Sequence, residues 1–505
     1  MPLNRLKDRK LKEIFRYISD INQKAYMNIY LLSNPVLSKN PYSSNYINTY
    51  NNNYIVMPSF RDVMINLKGY YKNSFTSFFE YVKRKIDWMK ARQQFPIKTD
   101  TRELVIIDTF FLANKILKDG KFKELYFERL CKVLNKRNIV YVYLPVFINC
   151  RTRLQFQDTL RLLMKNQVPV LTEYQLLSAT DFLRIIGFII FYPFYVLRLA
   201  YAMKEDSNIS RVIKKELLNT IGHITLHSFS RYLQGKRIAS LTYNNIKLIS
   251  WYENQAIDKN LYKGLRSNPS KVKIYGCQLF LWPDSVIYHI CDPSEIEHGI
   301  VPDKVLVNGN YYLYEDERIN NDVGPSIRYK KIFDYDINFS ERNDLLVILP
   351  YFHYEIINIL NTIKNTVYKY GKIIIKFHPT TEIDLYKDNL PINAEVSEDD
   401  IYNLFDRSKI ILGIESGSLV EGVSVAIPAI ILYNTKQYSH NPFPSIGKSV
   451  VWDSASNKHD MERLIEKFNH KLDHEKDKLL KYALIYKEMF FCEPTDEKII
   501  DSFDL

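Results

Sequence analysis

Cysteine and glycine are both scarce in this chain: five cysteines and 15 glycines occur among 505 residues. The cysteines are odd in number and scattered, and none takes the Cys-x-x-Cys spacing. A disulfide framework and a structural zinc site are therefore not expected, and this cysteine usage favours a reducing cytosol. Internal repeats of the solenoid or propeller kind are also missing.

A secretory signal is missing too, because the charged start MPLNRLKDRKLKEIF has no apolar run behind it. We therefore expect a cytoplasmic protein. The length predicts about two to four domains, each with a full hydrophobic core.

Long apolar runs are absent except in residues 181–204, DFLRIIGFIIFYPFYVLRLAYAMK. The apolar stretch between Arg184 and Arg198 contains Pro193 and is shorter than the roughly 20 residues that span a bilayer. Three interpretations stay open: a buried hairpin or core helix, an interfacial element whose aromatic rings lie at headgroup depth beside the arginines, or a true membrane span. The second would make the protein peripheral on the cytoplasmic face of the inner membrane. The aromatic residues are Phe188, Phe191, Tyr192, Phe194 and Tyr195.

Acidic residues are outnumbered: there are 57 of them against 69 lysines and arginines, for a formal charge of +12. This excess predicts attraction to nucleic acid, an anionic membrane or a phosphorylated substrate. The basic residues are dispersed and form no recognised nucleic-acid motif, so nucleic acid is not an expected partner.

Short apolar or β-branched runs alternate with helical patterns through most of the chain, an order that predicts parallel sheets with crossover helices. We expect an α/β fold with two Rossmann-like domains facing a cleft, at residues 101–310 and 344–460, joined by a linker at 311–343. A basic segment, 1–100, precedes them as an extension or as part of the first domain. A helical segment, 461–505, follows. The predicted strands of the first domain are LVIID, IVYVYLP, VPVLTE, IKLISWYE and KVKIYGCQLF, and those of the second are DLLVILPYF, KIIIKFHP, KIILGIE and PAIILYN.

Polar and small residues follow two strands of the second domain. His378 and Pro379 follow KIIIKF, and GIESGSLVEG follows KIIL and leads into a helix. The unpaired amides of a helix N-terminus and serine hydroxyls together form a natural phosphate cradle. His378, from a neighbouring strand, is expected to donate to the same phosphate, and Glu421, from the helix's first turn, to accept from sugar hydroxyls. The residues of the cradle are Ser416, Gly417 and Ser418.

KFHPTT and GIESGSLVEGVSVAIPAIILYN together resemble the donor-binding domain of GT-B glycosyltransferases. The resemblance is to bacterial surface-polysaccharide enzymes with a His-Pro motif: polysialyltransferases, capsular Kdo transferases and CDP-glycerol glycerophosphotransferases. ISWYENQAIDKNLYKGLR and VPDKVLVNG in the first half are similar in order to surface carbohydrate biosynthesis proteins. The resemblance covers roughly residues 100–460 and implies that His378, Ser416 and Ser418 hold the phosphate of a nucleotide-sugar donor. The Asp/Glu-Asp/Glu-Gly motif of the sialyltransferases is absent, so a CMP-sialic acid donor is not implied.

The catalytic base should come from the first half, across the cleft from the phosphate. Glu253 in SWYENQ is the first choice, because it ends a strand beside two aromatic residues, where desolvation would raise its pKa. The structural alternative is that Glu253 caps the following helix. Asp108, at the end of LVIID, is the second choice. Asn254 and Gln278 are expected to bind acceptor hydroxyls.

We expect the sequence to contain no Asp-x-Asp motif for a divalent metal ion. We therefore expect catalysis without a metal or other cofactor, in which basic side chains and helix dipoles stabilise the leaving phosphate.

The expected function is an inverting glycosyltransferase of surface polysaccharide, such as capsule or lipopolysaccharide. Its expected partners are a nucleotide-sugar donor and a glycan or lipid-linked glycan acceptor. The alternatives are an isomerase related to UDP-sugar 2-epimerases and a non-catalytic carbohydrate-binding protein. Release of free nucleotide together with a new glycosidic bond would distinguish the transferase.

Overall fold

The computed structural model describes residue 6 and residues 8–51, 55–91, 103–223 and 225–505. Parts of the predicted N-terminal segment, namely 1–5, 7, 52–54 and 92–100, lie outside the described residues.

Two parallel six-stranded sheets form the framework. The first sheet has the order β2-β1-β3-β4-β5-β6 and the second has the order β12-β11-β10-β7-β8-β9. The strands of the first sheet are β1 Glu103–Leu112, β2 Tyr141–Ile148, β3 Asn245–Trp251, β4 Val272–Cys277, β5 Lys304–Val307 and β6 Asn321–Val323. Those of the second are β7 Asp344–Ile348, β8 Ile373–Lys376, β9 Ala394–Val396, β10 Ser408–Gly413, β11 Ala429–Leu432 and β12 Trp452–Ala455.

Helices cover both sheets and connect their strands. Those of the first half are α1 Arg9–Ala25, α2 Tyr46–Asn51, α3 Phe60–Ala91, α4 Ala113–Asp119, α5 Glu128–Lys136, α6 Arg153–Lys165, α7 Glu173–Leu176, α8 Ala179–Ala202, α9 Asn208–Asn219, α10 Leu226–Ala239, α11 Ala256–Leu265 and α12 Pro293–Glu297. Those that follow are α13 Lys330–Asp334, α14 His353–Ile363, α15 Ile401–Arg407, α16 Gly417–Ser424, α17 Lys458–His474, α18 Lys476–Phe490 and α19 Asp496–Phe503. The expected α/β fold with two Rossmann-like domains is confirmed.

The order of strands fixes where a ligand would lie. In each sheet the chain reverses the direction in which it adds strands, between β1 and β3 in the first sheet and between β7 and β10 in the second. Open parallel sheets bind ligands beyond the carboxyl ends of the strands at such a switch point.

The central strands are buried on both faces. In β1, Leu104 and Ile106 point into one apolar cluster, and Val105 and Ile107 point into another. Because both faces are covered, the strand is a nearly continuous apolar run rather than an alternating one. That is why its sequence signals a parallel sheet.

Two glycines allow α10 and α11 to touch through their backbones. A Cβ atom added to Gly264 would lie 2.1 Å from the carbonyl oxygen of Tyr232, and one added to Gly235 would lie 2.3 Å from that of Leu261. These two glycines therefore allow a close approach that a side chain at either position would prevent.

The N-terminal segment is tied into the first domain by buried charges. The Nζ of Lys39 lies 2.8 Å from a carboxylate oxygen of Glu295 and 3.2 Å from one of Asp292, and Lys259 lies 2.6 Å from Glu295. All four side chains are fully buried. The breaking of one such pair would leave an uncompensated buried charge, so the segment is fixed in place.

Three sequence predictions need correction. Residues 168–173 form no strand: the segment makes a single bridge between Val170 and Tyr143, beside β2. The predicted linker contains β6, which is the edge strand of the first sheet. β1 also runs four residues beyond Asp108, which therefore lies inside the strand and not at its end.

The end of the chain returns to the first sheet. The ring of Phe503 in α19 packs edge-on against Tyr275 of β4 at 5.7 Å between centroids. The Tyr275 hydroxyl also donates to the carboxylate of Asp504 at 2.6 Å.

Candidate functional site

The two halves meet at the carboxyl ends of their strands. Gly417, the first residue of α16, lies so close to the loop after β4 that an added Cβ would be 3.4 Å from the Cβ of Leu281. The ion pairs Arg151–Glu382 and Lys118–Glu398 also join the first half to the second. Side chains at both switch points therefore border one cleft.

Glu253 lies two residues beyond the end of β3, on the first-half side of this cleft. Its Oε1 accepts a hydrogen bond from the indole Nε1 of Trp251 at 2.7 Å. Burial raises the pKa of Glu253 to about 7, although the Trp251 bond and the charge of Arg328 both oppose that rise. A carboxylate with this pKa is half-ionised near neutral pH, as a general base requires.

Glu253 is not the cap of the helix that follows it. The N-cap of α11 is Gln255, and the Asp258 carboxylate accepts from the backbone N–H groups of Gln255 and Glu253 at 3.0 and 3.1 Å. The cap therefore leaves the carboxyl group of Glu253 available for other contacts.

Asp108 occupies a closed environment. It is 3% exposed, pairs with Arg231 at 2.5 Å and accepts a hydrogen bond from the Ser250 hydroxyl at 2.8 Å. Arg231 is itself buried. A buried carboxylate held in an ion pair is not available to an acceptor hydroxyl, so this placement argues against the second-choice base.

Asn254 and Gln278 are buried as well. Asn254 has a φ of 56° and donates from Nδ2 to the carbonyl oxygen of Tyr288 at 2.8 Å and to Glu295 at 2.9 Å. Gln278 accepts from the backbone N–H of Asn308 at 2.9 Å and so ties the end of β4 to that of β5. Both side chains bond to other parts of the protein, and neither is exposed to an acceptor substrate. Their burial argues against the prediction that they bind acceptor hydroxyls.

His378 lies two residues beyond β8 and is exposed in the cleft. Its ring packs edge-on against Tyr351 at 5.6 Å, and Pro379 follows in a turn closed by a bond from Thr381 N–H to the His378 carbonyl at 2.9 Å. β7 lies between β8 and β10, so His378 is not on the strand next to the serine turn, as the sequence predicted.

The histidine has a defined tautomer. The backbone N–H of Thr380 can only donate, and it donates to the His378 Nδ1 at 3.3 Å, which leaves the proton on Nε2. Desolvation by the surrounding protein, together with the charge of Arg328, lowers the pKa of His378 to about 4. The ring is therefore a neutral donor at physiological pH.

The serine turn after β10 caps α16. The Ser416 hydroxyl accepts from the backbone N–H of Ser418 at 3.3 Å, and the Ser418 hydroxyl donates to Glu421 at 3.3 Å. Glu421 is nearly buried, also accepts from the Tyr402 hydroxyl at 2.7 Å, and has its pKa raised by burial. It is the fifth residue of α16 and lies in the second turn, not in the first as predicted.

Arg328 is a cation of this site that the sequence interpretation missed. It lies within the predicted linker, donates to the Leu279 carbonyl at 3.1 Å, and stands over the Tyr126 ring at 5.5 Å from its centroid. Its charge lowers the pKa of both Glu253 and His378, which come from opposite halves. No pattern distinguishes it in the sequence.

Glu415 and Tyr42 were also missed. Glu415 lies two residues beyond β10 with a φ of 58°, and burial raises its pKa to about 8, although it accepts a bond from His440 N–H at 2.9 Å. Tyr42 packs on Phe352 at 5.2 Å, and its own pKa is raised by burial and by the charges of Glu415 and Glu253. The N-terminal segment thus contributes an aromatic ring between carboxyl groups of the two halves.

No group of three or more His, Cys, Asp or Glu side chains able to hold a metal ion occurs within the described residues. The expectation that the sequence contains no Asp-x-Asp motif is wrong, because one occurs at Asp334 and Asp336, away from the strand ends. Asp334 pairs there with Lys330 at 2.8 Å.

Comparison with known proteins finds distant structural likenesses only. No protein family and no curated protein matches this chain. A UDP co-structure of MnaA from S. aureus is 12% identical with a TM-score of 0.43, over 78% of this chain and 94% of that one. A UDP-GlcNAc 2-epimerase from Neisseria meningitidis bound to UDP-GlcNAc is 11% identical with a TM-score of 0.42, over 79% and 99%. The glycosyltransferase SnogD from Streptomyces nogalater is 10% identical with a TM-score of 0.40, over 79% and 98%.

Proposed function

We propose that this chain is an inverting glycosyltransferase that moves a sugar from a nucleotide-activated donor to a growing surface glycan. The observation that carries the proposal is the division of chemistry across one cleft. A carboxyl group with a pKa of about 7, Glu253, lies at the switch point of the first sheet. A capped helix N-terminus and a neutral histidine lie at strand ends of the second sheet.

The donor phosphate would bind at the second half. The N-terminus of α16, with Ser416 at its cap and Ser418 in its first turn, offers backbone and hydroxyl donors. The Nε2–H of His378 adds one more, and the guanidinium of Arg328 adds the positive charge. Glu421 is proposed to position the sugar part of the nucleotide through the Ser418 and Tyr402 hydroxyls that it orders.

The transfer itself requires one proton movement and one exchange of bonds. The Glu253 carboxylate accepts the proton of the acceptor hydroxyl as that oxygen forms a bond to the anomeric carbon. The bond from the anomeric carbon to the phosphate oxygen breaks on the opposite face, and the nucleotide leaves with the electron pair. Arg328 and the dipole of α16 stabilise the charge that develops on the phosphate, so no metal is required in this scheme.

An isomerase is the second candidate, and a specific observation favours it. Glu253 and Glu415 have pKa values of about 7 and 8, and both lie near Tyr42. Two carboxyl groups with such values can act as an acid–base pair on one bound sugar. The donor site would be the same in both cases.

The test has two steps. CMP, CDP, UDP and GDP are first screened by thermal shift, because a ligand that binds only the folded state raises the melting temperature. Sugars linked to the bound nucleotide are then incubated with a glycan acceptor, and the products are separated. Free nucleotide with a new glycosidic bond supports transfer. An epimerised nucleotide sugar formed without acceptor would overturn the transferase in favour of the isomerase, and the absence of nucleotide binding would overturn both.

A further inference from the structure

Helix α8 has two different faces. Its inner face is buried in the first domain: Phe188 stacks on Phe229 at 4.4 Å between ring centroids, and the Tyr192 hydroxyl accepts from Asn34 at 3.0 Å. The sequence prediction that these two rings are interfacial is therefore wrong. The outer face leaves five large apolar side chains 39–69% exposed, namely Leu183, Ile190, Phe191, Phe194 and Tyr201.

The spacing of the exposed residues makes them one stripe. Leu183, Ile190, Phe194 and Tyr201 follow each other at intervals of seven, four and seven residues, which is the repeat of one helix face. α8 is also long and apolar enough to cross a membrane by length and composition. A crossing would expose the Phe188 face, which packs against other helices of the domain, so we assign the helix a position along a surface instead.

Helix α3 extends this surface. Its exposed stripe combines apolar residues, namely Ile65, Phe79 and Ile86, with lysines, namely Lys68, Lys72, Lys83 and Lys90, of which Lys83 pairs with Glu80 at 2.6 Å. α3 has seven basic and three acidic residues in all. The Tyr71 hydroxyl of α3 donates to the carbonyl of Ile190 at 3.1 Å, so the two stripes adjoin. The exposed stripes of α3 and α8 together form one surface, the α3/α8 face.

We propose that the α3/α8 face docks the protein on an anionic lipid bilayer. Exposed Phe, Leu, Ile and Tyr side chains next to lysines are the composition of a helix surface that lies at headgroup depth. The lysines would meet anionic headgroups while the apolar side chains enter the interface. A second copy of this chain is a poorer occupant, because a symmetric contact through this face would bring lysines against lysines.

This proposal is independent of the proposed function, since it concerns helices that contribute no residue to the candidate site. Exposed apolar residues of the second half provide a matched control. Leu385 and Ile392 are 66% and 99% exposed, which is at least as much as Phe191 and Phe194 at 52% and 59%. A general effect of lost apolar surface would therefore appear in both pairs of variants.

The experiment is flotation of the full chain with phosphatidylcholine vesicles that contain or lack phosphatidylglycerol. We expect binding to the anionic vesicles, an approximately tenfold or larger loss in F191S/F194S, and no loss in L385S/I392S. K68Q/K72Q should lose about fivefold for each lysine, while K364Q/K481Q, which alters two exposed lysines elsewhere, should bind like the wild type. The melting temperature of each variant is measured in parallel.

Three outcomes would overturn the proposal. Wild-type protein that does not float with anionic vesicles has no such surface. A fall in melting temperature in F191S/F194S, with unchanged flotation, would show that the two rings stabilise the fold. A change from dimer to monomer by sedimentation equilibrium, again with unchanged flotation, would assign the face to contact between copies.

Discussion

The indole of Trp251 donates to the carboxylate of Glu253 at 2.7 Å, across two residues at the end of β3. Burial and this hydrogen bond have opposite effects on the pKa of Glu253. Burial withdraws the carboxylate from water and raises its pKa, whereas the indole N–H stabilises the charged form and lowers it. The resulting pKa of about 7 is close to the value at which a carboxylate is an effective base at neutral pH.

Glu253→Gln removes the base and keeps the shape of the side chain. We expect kcat to fall about 10²-fold or more, with nucleotide affinity near that of the wild type, because the donor site belongs to the other half. Steady-state rates and calorimetric titration with the nucleotide measure the two effects. Asp388→Asn, an exposed carboxylate of the second half, is the matched control. An active Glu253→Gln enzyme would remove this residue from the mechanism.

Trp251→Phe tests whether the hydrogen bond from the indole sets the pKa of Glu253. The base must be ionised, so kcat/KM should rise with pH and level off above the pKa of Glu253, which is about 7. The indole bond lowers that pKa, so its loss should raise the pKa and move the acid limb of the profile to higher pH. The pH dependence of kcat/KM in both proteins measures the shift. An acid limb that does not move, or moves to lower pH, would mean that the limb reports another group.

The strands that could be predicted from sequence are those buried on both faces. DLLVI of β7 and the start of KIIIKF in β8 are continuous apolar runs, and both form central strands. β6 and β9 are three-residue edge strands, NDV and AEV, which contain polar residues and no fully buried one, so they give no such signal.

Some residues of the candidate site could also be predicted from sequence, and others could not. Glu253 could be found because its strand and its aromatic neighbours are adjacent in sequence. The environment of Asp108 could not, because its partner Arg231 is 123 residues away. Arg328 lies in a polar segment whose position against β4 depends on the packing of the whole domain. Sequence patterns therefore identify local environments, whereas ion pairs between distant segments need the fold.

Gly264→Ala should destabilise the first domain. Its new Cβ would meet the Tyr232 carbonyl at 2.1 Å, so α10 and α11 would have to separate at a cost of about 1–3 kcal/mol. Gly69→Ala in α3 is the matched control, because no atom lies within 4 Å of its added Cβ. That change should be neutral or stabilise by up to about 1 kcal/mol. Urea unfolding measures both, and equal stabilities would contradict the close helix contact.

His378→Ala should weaken nucleotide binding about tenfold, the value of one hydrogen bond to a charged group, without a change in melting temperature. Because its pKa is about 4, the ring binds as a neutral donor, so His378→Gln, which keeps an N–H donor, should retain part of the affinity. His459→Ala, a change on the surface of α17, is the control. If affinity instead falls as the pH rises through the ordinary histidine range, the bound ring is charged and the neutral donor is wrong.

Arg328→Gln removes the charge that lies near groups of both halves. We expect affinity for a nucleoside diphosphate to fall about tenfold or more, since a charged hydrogen bond contributes about 1.5–3 kcal/mol. The acid limb of the rate profile should move to higher pH, because the Arg328 charge lowers the pKa of Glu253. Arg328→Lys should keep the acid limb in place while losing part of the affinity, because lysine keeps the charge but not the planar donor fork.

The control for this prediction is Arg318→Gln. Arg318 belongs to the same predicted linker and pairs with Asp316 of its own turn at 2.6 Å, so its loss should alter neither affinity nor the acid limb. If Arg328→Gln lowers the melting temperature but changes neither quantity, the bond from Arg328 to the Leu279 carbonyl is its main role. A shift of the acid limb without a loss of affinity would separate the two effects, keeping Arg328 near the base while removing it from the phosphate.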